Sequence, residues 1–193
     1  QLGDPFQGSG ETGWTGRDVC LSHDGSHISI GADFVNATGQ WEGKVYVFLW
    51  ENEQWNQVGT DISVAPQLSM PSSALALSAD ASKVAFASGE GVTRVFSIEN
   101  SELAQVGNDI YPEQPEDGSA FSVSLSYDGS SLAIGSPWSN GYEGSARVFR
   151  LEDDAWVQTG STFLINQDLS NQEMPELGRC VSISGTGDKV ALG

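Results

Sequence analysis

The sequence predicts an all-β chain: about three and a half four-stranded blades of a larger, seven-bladed β-propeller. Three observations predict it. A segment of the pattern apolar-small-apolar-Ser-x-Asp-Gly recurs four times, around Ser22, Ser78, Ser126 and Ser184. Each copy is followed by a second β-type segment, and three of the copies by a third and a fourth. No stretch carries a sustained helical period. Four short strands in a unit of about 50 residues is the pattern of a propeller blade.

Each element follows from its residues. The first strand reads Val19-Cys20-Leu21, Leu75-Ala76-Leu77, Val123-Ser124-Leu125 and Val181-Ser182-Ile183. The second reads Ile28-Ser29-Ile30, Val84-Ala85-Phe86, Leu132-Ala133-Ile134 and Val190-Ala191-Leu192. Large apolar residues alternate with small ones, so one face of a blade can nest against the opposite face of its neighbour. Asp-Gly at 24–25 and 128–129 supplies a tight turn between the first two strands. Third strands centre on Val47-Phe48, Val95-Phe96 and Val148-Phe149. The fourth recurs as Trp55-Asn56-Gln57-Val58-Gly59, Leu103-Ala104-Gln105-Val106-Gly107 and Trp156-Val157-Gln158-Thr159-Gly160, each closed by a glycine.

Spacing places the variable parts. The repeated serines lie 56, 48 and 58 residues apart. The closing glycine precedes the next serine by 19 residues three times and by 24 the fourth time, which puts an insertion in 161–178. From serine to the third-strand Phe is 26, 18 and 23 residues, so the 31–44 and 135–145 loops are adjustable. The units are about 4–62, 63–110, 111–164 and 165–193, the last incomplete. About 25 residues are expected to be missing from it, by analogy with the first unit. Gln1-Leu2-Gly3 matches the tail of a fourth strand. The expected context is a fragment of a longer polypeptide; two half-rings pairing into a seven-bladed whole is the alternative.

Composition bounds the partners. Twenty-six acids against eight bases give a net charge of −18 in 193 residues. That excludes a nucleic-acid backbone binder, which needs clustered Lys and Arg. It also argues against docking on anionic lipid. No apolar run reaches the length of a membrane span. One glycosylation sequon, Asn36-Ala37-Thr38, and the strong acidity point to an extracellular or cell-surface, secreted setting.

Candidate chemistry is sparse. Ser22-His23-Asp24 holds triad residue types in sequence, but neighbours along a strand point to opposite faces and cannot form the relay. His27 occupies a turn slot expected to face solvent. Asp24, Asp80 and Asp128 are expected to cap their turns by accepting nearby backbone N–H groups. No metal, cofactor or catalytic constellation is predicted. Trp55 and Trp156 sit in equivalent outer-strand places and are read as packing residues, with sugar stacking as the alternative. Trp41 and Trp138 lie in the variable loops, near Asn36, Gln40, Asn140 and Tyr142, and are candidates for contact with a protein or glycan. Asp33, Glu42 and Glu143 are the carboxylates a carbohydrate-active site would draw on. Cys20 and Cys180 are expected to be buried free thiols, too far apart to bridge. Glu113, Glu116 and Asp117 form an acidic cluster expected to be a solvated face, or else to gather divalent cations or a basic partner.

At these residues the chain resembles two propeller families. Ser126-Tyr127-Asp128-Gly129, Leu132-Ala133-Ile134-Gly135-Ser136 and Ala146-Arg147-Val148-Phe149 are similar to a WD-repeat unit, without its WD dipeptide. Phe121-Ser122-Val123 and Gly135-Ser136-Pro137 resemble the FG-GAP unit of integrin α-type propellers, with the calcium loop cut to a single carboxylate. Over nearly its whole length the chain is most similar to uncharacterised secreted repeat proteins of marine algae. The resemblance implies a propeller. The reading that follows is a non-enzymatic interaction or scaffold module with a protein partner or self-association. The alternatives are a carbohydrate-binding or carbohydrate-active propeller and a half-ring subunit.

Overall fold

A computed structural model describes residues 3–6, 13–67, 72–88, 91–113, 120–164 and 176–193. The first blade comprises β1 (Gly13–Leu21), β2 (His27–Val35), β3 (Trp41–Glu51), β4 (Gln54–Gln57) and β5 (Ile62–Gln67). The second has β6 (Ser72–Leu77), β7 (Lys83–Ser88), β8 (Thr93–Glu99) and β9 (Glu102–Gln105). The third has β10 (Ser122–Leu125), β11 (Ser131–Ser136), β12 (Ser145–Glu152), β13 (Ala155–Gln158) and β14 (Phe163–Leu164). A two-stranded sheet, β15 (Val181–Ile183) and β16 (Val190–Leu192), follows. The strands of each blade pair antiparallel in sequence order, as the repeat predicts. Register is kept from blade to blade: Phe48 opposes Ile28, Phe96 opposes Val84 and Phe149 opposes Leu132.

The closing glycine is not the end of the fourth strand. After Gly59 the chain rejoins the third strand, and β5 pairs β3 at Val45↔Ile62. Thr93↔Ile110 and Ala146↔Phe163 repeat this in the next two blades. Gly59, Gly107 and Gly160 have φ of 62°, 74° and 74°, a left-handed step that L side chains resist, so a glycine marks the kink. Beyond the kink an ion pair pins the strand again. Lys44 Nζ lies 2.8 Å from Asp61 Oδ2, and Arg94 forks onto Asp109 at 2.7 and 2.9 Å.

Packing between blades carries the fold. Val45 and Val47 of the first blade meet Leu75, Val84 and Phe86 of the second. The other face of the second blade is small: Ala74, Ala76, Ala85 and Ala87 receive Leu132, Ile134 and Phe149 of the third. The alternation of large and small residues along the strands therefore becomes a nesting of one sheet on the next, as the sequence predicts. Each fully buried Leu, Val or Phe contributes about 1.5–3 kcal/mol. Successive innermost strands β1, β6, β10 and β15 are neighbours, so the blades follow one another about a common centre.

Candidate binding face

The strand order gives the blades two rims. One carries the Ser-x-Asp-Gly turns. The other carries the loops between second and third strands and the starts of the first strands.

The turn rim is closed upon itself. Ser22 Oγ donates to Asp24 Oδ1 at 2.8 Å, Ser26 N donates to the same oxygen at 2.9 Å, and His27 N donates to Ser22 Oγ at 2.9 Å. Ser78, Asp80, Ser82 and Lys83 repeat the network. Ser126, Asp128, Ser130 and Ser131 repeat it again. In the fourth turn Ser184 Oγ donates to Asp188 Oδ1 instead, which the sequence comparison missed because this Asp lies four residues on, not two. Adjacent turns are tied by His23 N to Ala79 O, Asp80 N to Tyr127 O and Tyr127 N to Gly185 O, at 2.9–3.0 Å. The aspartates cap their turns, as expected, and Ser22 is bound to Asp24 without His23 between them. The ring of His23 instead lies 6.2 Å from that of Tyr127, two blades on. His27 is half-buried, Nδ1 at 2.8 Å from Ser26 Oγ, and not the solvent-facing turn residue expected. Burial lowers its pKa, with Asp24 opposing.

The aspartates of this rim, together with Asp61 and Asp109 in the outer-strand ion pairs, couple stability to pH. The Ser26 backbone N–H, then the Ser26 and Ser22 hydroxyls, hold Asp24 below the ordinary carboxylate range. The Ser130 N–H leads the same effect at Asp128, Lys44 at Asp61 and Arg94 at Asp109. At Asp80 burial opposes the shift and the hydrogen bonds from Ser82 and Ser78 outweigh it. A carboxylate with a depressed folded pKa stabilises fully above its unfolded value, about 4, and the contribution is lost as pH falls through the folded value. Urea midpoints measured from pH 7 to 2 are therefore expected to hold down to about pH 4 and then fall. Asp128→Ala is expected to cost on the order of 1 kcal/mol at neutral pH and to weaken the acid dependence. A midpoint constant down to pH 2 would contradict this assignment.

The loop rim is where the sequence-predicted candidates fall. Asn36 closes the β2–β3 hairpin: its Oδ1 accepts from Thr38 N, Thr38 Oγ1 and Gln40 N at 3.0, 2.6 and 3.0 Å, and its Nδ2 donates to Glu42 Oε1 at 2.7 Å. Trp41 is half-buried, its ring 5.9 Å from that of Trp14, which is 53% exposed. In the third blade Trp138 stands edge-on to Phe121 at 5.4 Å, and the guanidinium of Arg179 lies over the Phe121 ring, 5.4 Å from its centroid. Asn140 and Tyr142 follow in a turn at Ser139–Tyr142 with left-handed φ of 51° and 73°. Asn140 Nδ2 donates to Glu143, and Tyr142 is half exposed. Buried Ser139 ties the turn down, donating to Ser136 O at 2.8 Å with its Oγ 2.7 Å from Ser145 Oγ. The structure thus unites Trp138, Asn140 and Tyr142 in one loop. Trp41 sits in another blade, with the second blade between.

Two rim aromatics were not singled out from sequence: Trp14 and Tyr111, the latter 62% exposed. Strand β1 starts at Gly13, past a bulge between Thr15 and Asp18, well before the repeat motif at Val19. That upstream extension brings Trp14 to the rim, and only the pairing Trp14↔Asp33 reveals it.

The carboxylates of a sugar-cleaving pair are not brought together. Asp33 is 1% exposed and 3.0 Å from Arg17. Glu42 opposes Phe34, the neighbour of Asp33, so the two acids project from opposite faces of the sheet. Glu143 belongs to the third blade. Trp156 is buried, as the packing reading expects, and Trp55 is half-buried against Trp50 and Phe6. Both cysteines are free. Cys20 is half-buried, donates to Leu75 O at 3.3 Å and is pushed up to about 11 by burial, so it stays a thiol at neutral pH. Cys180 is exposed, which corrects the expectation of two buried thiols: it precedes a two-stranded sheet flanked on one side only among the described residues. Glu113 accepts from Thr162 Oγ1 across the third blade's edge, while Glu116 and Asp117 lie outside the described residues. No helix among the described residues is long and apolar enough to cross a membrane.

The sequence matches no protein-family model and no curated protein. Solved structures do match. The Cps50 (Swd1) β-propeller domain of Myceliophteria thermophila aligns with a TM-score of 0.58 at 11% identity, over 91% of this chain and 47% of that one. A putative 6-phosphogluconolactonase from Bacteroides uniformis aligns with a TM-score of 0.56 at 16% identity, over 90% of this chain and 46% of that one. Kuenenia stuttgartiensis hydrazine synthase aligns with a TM-score of 0.51 at 16% identity, over 89% and 40%. The chain spans less than half the length of each. Identities this low carry the fold and not the activity. The described residues fold as successive antiparallel blades of a β-propeller, three of them with four strands or more and the last sheet with two.

Proposed function

We propose that the chain is a non-enzymatic scaffold that docks protein partners through its loop rim, in an extracellular setting. The observation that carries the reading is the placement of exposed aromatic rings. Of the exposed aromatic rings among the described residues, Trp14, Tyr111, Trp138 and Tyr142 fall on the loop rim, against Tyr127 on the turn rim and Phe163 on an outer strand. Large aromatic rings on a rigid frame are the anchors protein interfaces favour. The acids nearby support binding over chemistry: Asp33, Glu42 and Glu143 are held by Arg17, Asn36 and Asn140. A net charge of −18 favours a basic partner. The FG-GAP-like residues at 121–123 and the sequon at Asn36 support the extracellular setting.

The test is capture of partners from extracellular material by the wild-type chain and by a Trp14→Ala, Trp138→Ala, Tyr142→Ser variant of equal thermal stability. The variant is expected to lose binding by about ten-fold or more. Unchanged capture would overturn the loop-rim assignment. The tilted Trp14–Trp41 pair favours a second reading, a glycan platform. A glycan array read with the same variant separates the two: glycan signal lost with Trp14 supports the platform, and no signal leaves the protein partner.

A further inference from the structure

The first blade carries at its loop rim a feature that the repeat does not require. Its innermost strand bulges between Thr15 and Asp18, so Gly16 and Arg17 stand outside the β1–β2 register, and Gly16 takes a left-handed φ of 82°. A bulge of this kind re-aims a side chain. Here Arg17 Nη1 donates to Asp33 Oδ2 at 3.0 Å. The Asp33 carboxylate is fully buried, while 35% of the Arg17 side chain stays exposed. The next two blades have Gly89 and Pro137 at the position of Asp33, so the fold does without this ion pair there. A buried ion pair is in any case a weak source of stability.

Strand pairing gathers two tryptophans beside the pair. Trp14 opposes Asp33, and Trp41 opposes Val35, so both indoles project from the face that Asp33 shares. Gly43 opposes Asp33 from the third strand and adds no side chain there. The two rings lie 5.9 Å apart, tilted at 47°, with Trp14 53% exposed. Charge then selects the ligand. The Arg17–Asp33 pair is neutral overall, and a net charge of −18 repels an anion. A guanidinium beside the rings repels a cation. We infer that Trp14, Trp41 and Arg17 form a binding site for a neutral sugar ring, a hexose unit of an uncharged glycan. Its apolar C–H face lies on the Trp14 indole, and its hydroxyl oxygens accept from the Arg17 guanidinium, which Asp33 holds in place. This rests on the glycan reading of the Trp14–Trp41 pair and gives it a ligand class and a polar contact.

The probes are neutral hexose oligosaccharides and their uronate or sulfated counterparts, titrated into the whole chain and read by tryptophan fluorescence. Saturable binding of neutral sugars is expected, with the acidic ones weaker. Trp14→Ala is expected to weaken binding about ten-fold or more, through loss of the stacking surface. Arg17→Lys keeps a positive charge beside Asp33 but loses the planar fork. It is expected to weaken binding about five-fold at an unchanged thermal midpoint. If that variant unfolds early, hydrogen exchange in the wild-type chain decides, with the sugar expected to slow Trp14, Arg17 and Trp41. No binding of any neutral sugar overturns the inference, as does equal or tighter binding of the acidic ones, or an unchanged affinity in Trp14→Ala. A Trp138→Ala, Tyr142→Ser variant, altered only in the third blade, is expected to keep sugar binding. Loss of protein capture by that variant with sugar binding intact supports both sites. Protein capture by the wild-type chain without sugar binding overturns this inference alone and leaves the loop-rim docking standing.

Discussion

Trp156→Ala is expected to destabilise the chain by about 3–5 kcal/mol, the range for emptying a buried tryptophan site. The side chain is 5% exposed and lies in the apolar contact between the second and third blades. Its Nε1 donates to Val106 O at 3.0 Å, and its backbone N donates to Asn108 Oδ1 at 2.9 Å. The ring also lies over Gly107, where an added Cβ would stand 2.7 Å from Cδ1. Alanine would open a cavity and leave the Val106 carbonyl without its partner. Chemical denaturation of the two proteins measures the loss. Trp156→Phe keeps part of the ring and omits the indole donor, so it should fall between them. A loss below about 1 kcal/mol for alanine would mean that the blades are not held together here.

Phe86→Ala is expected to have a loss of similar size, about 3–5 kcal/mol, on the other side of the second blade. Phe86 is 1% exposed, stacks on Phe96 with ring centroids 5.8 Å apart, and packs with Val45 and Val47 of the first blade. The two sites lie on opposite faces of the second blade. If the three blades unfold as one unit, the double variant should lose the sum of the single losses in one transition. If each interface opens on its own, hydrogen exchange should accelerate mainly in the first blade for Phe86→Ala and in the third for Trp156→Ala. Uniform acceleration in both would show a single cooperative unit.

The blade was legible because it is written as a local rule repeated. Val84-Ala85-Phe86 and Leu132-Ala133-Ile134 announce alternating faces, and Ser126-Tyr127-Asp128-Gly129 announces a turn whose bonds span only five residues. The function of Gly107 as a seat for Trp156 was not legible, because the two residues are 49 positions apart and meet only when blades stack. The kinked fourth strand escaped for a related reason. Its continuation does repeat, as Gly59-Thr60-Asp61-Ile62 and Gly107-Asn108-Asp109-Ile110, but that the isoleucine pairs with the third strand shows only in the fold, where the Lys44–Asp61 and Arg94–Asp109 ion pairs lie beside it.

The candidate face divides in the same way. Trp41, Trp138, Asn140 and Tyr142 stand out because insertions between strands of known spacing must go to loops. Trp14 did not, since its exposure depends on how far β1 runs past a bulge. Asp33 and Glu42 looked like neighbours of one tryptophan. Pleating sends them to opposite faces, and burial commits Asp33 to Arg17.

By itself the sequence determined the order of the first four strands of each blade, the turn chemistry and the large-on-small alternation, all set by interactions within a few residues or by a period. The tertiary structure alone decided which faces are covered and which stay open. Those depend on stacking between segments some 50 residues apart, where burial, and not local preference, sets the energy.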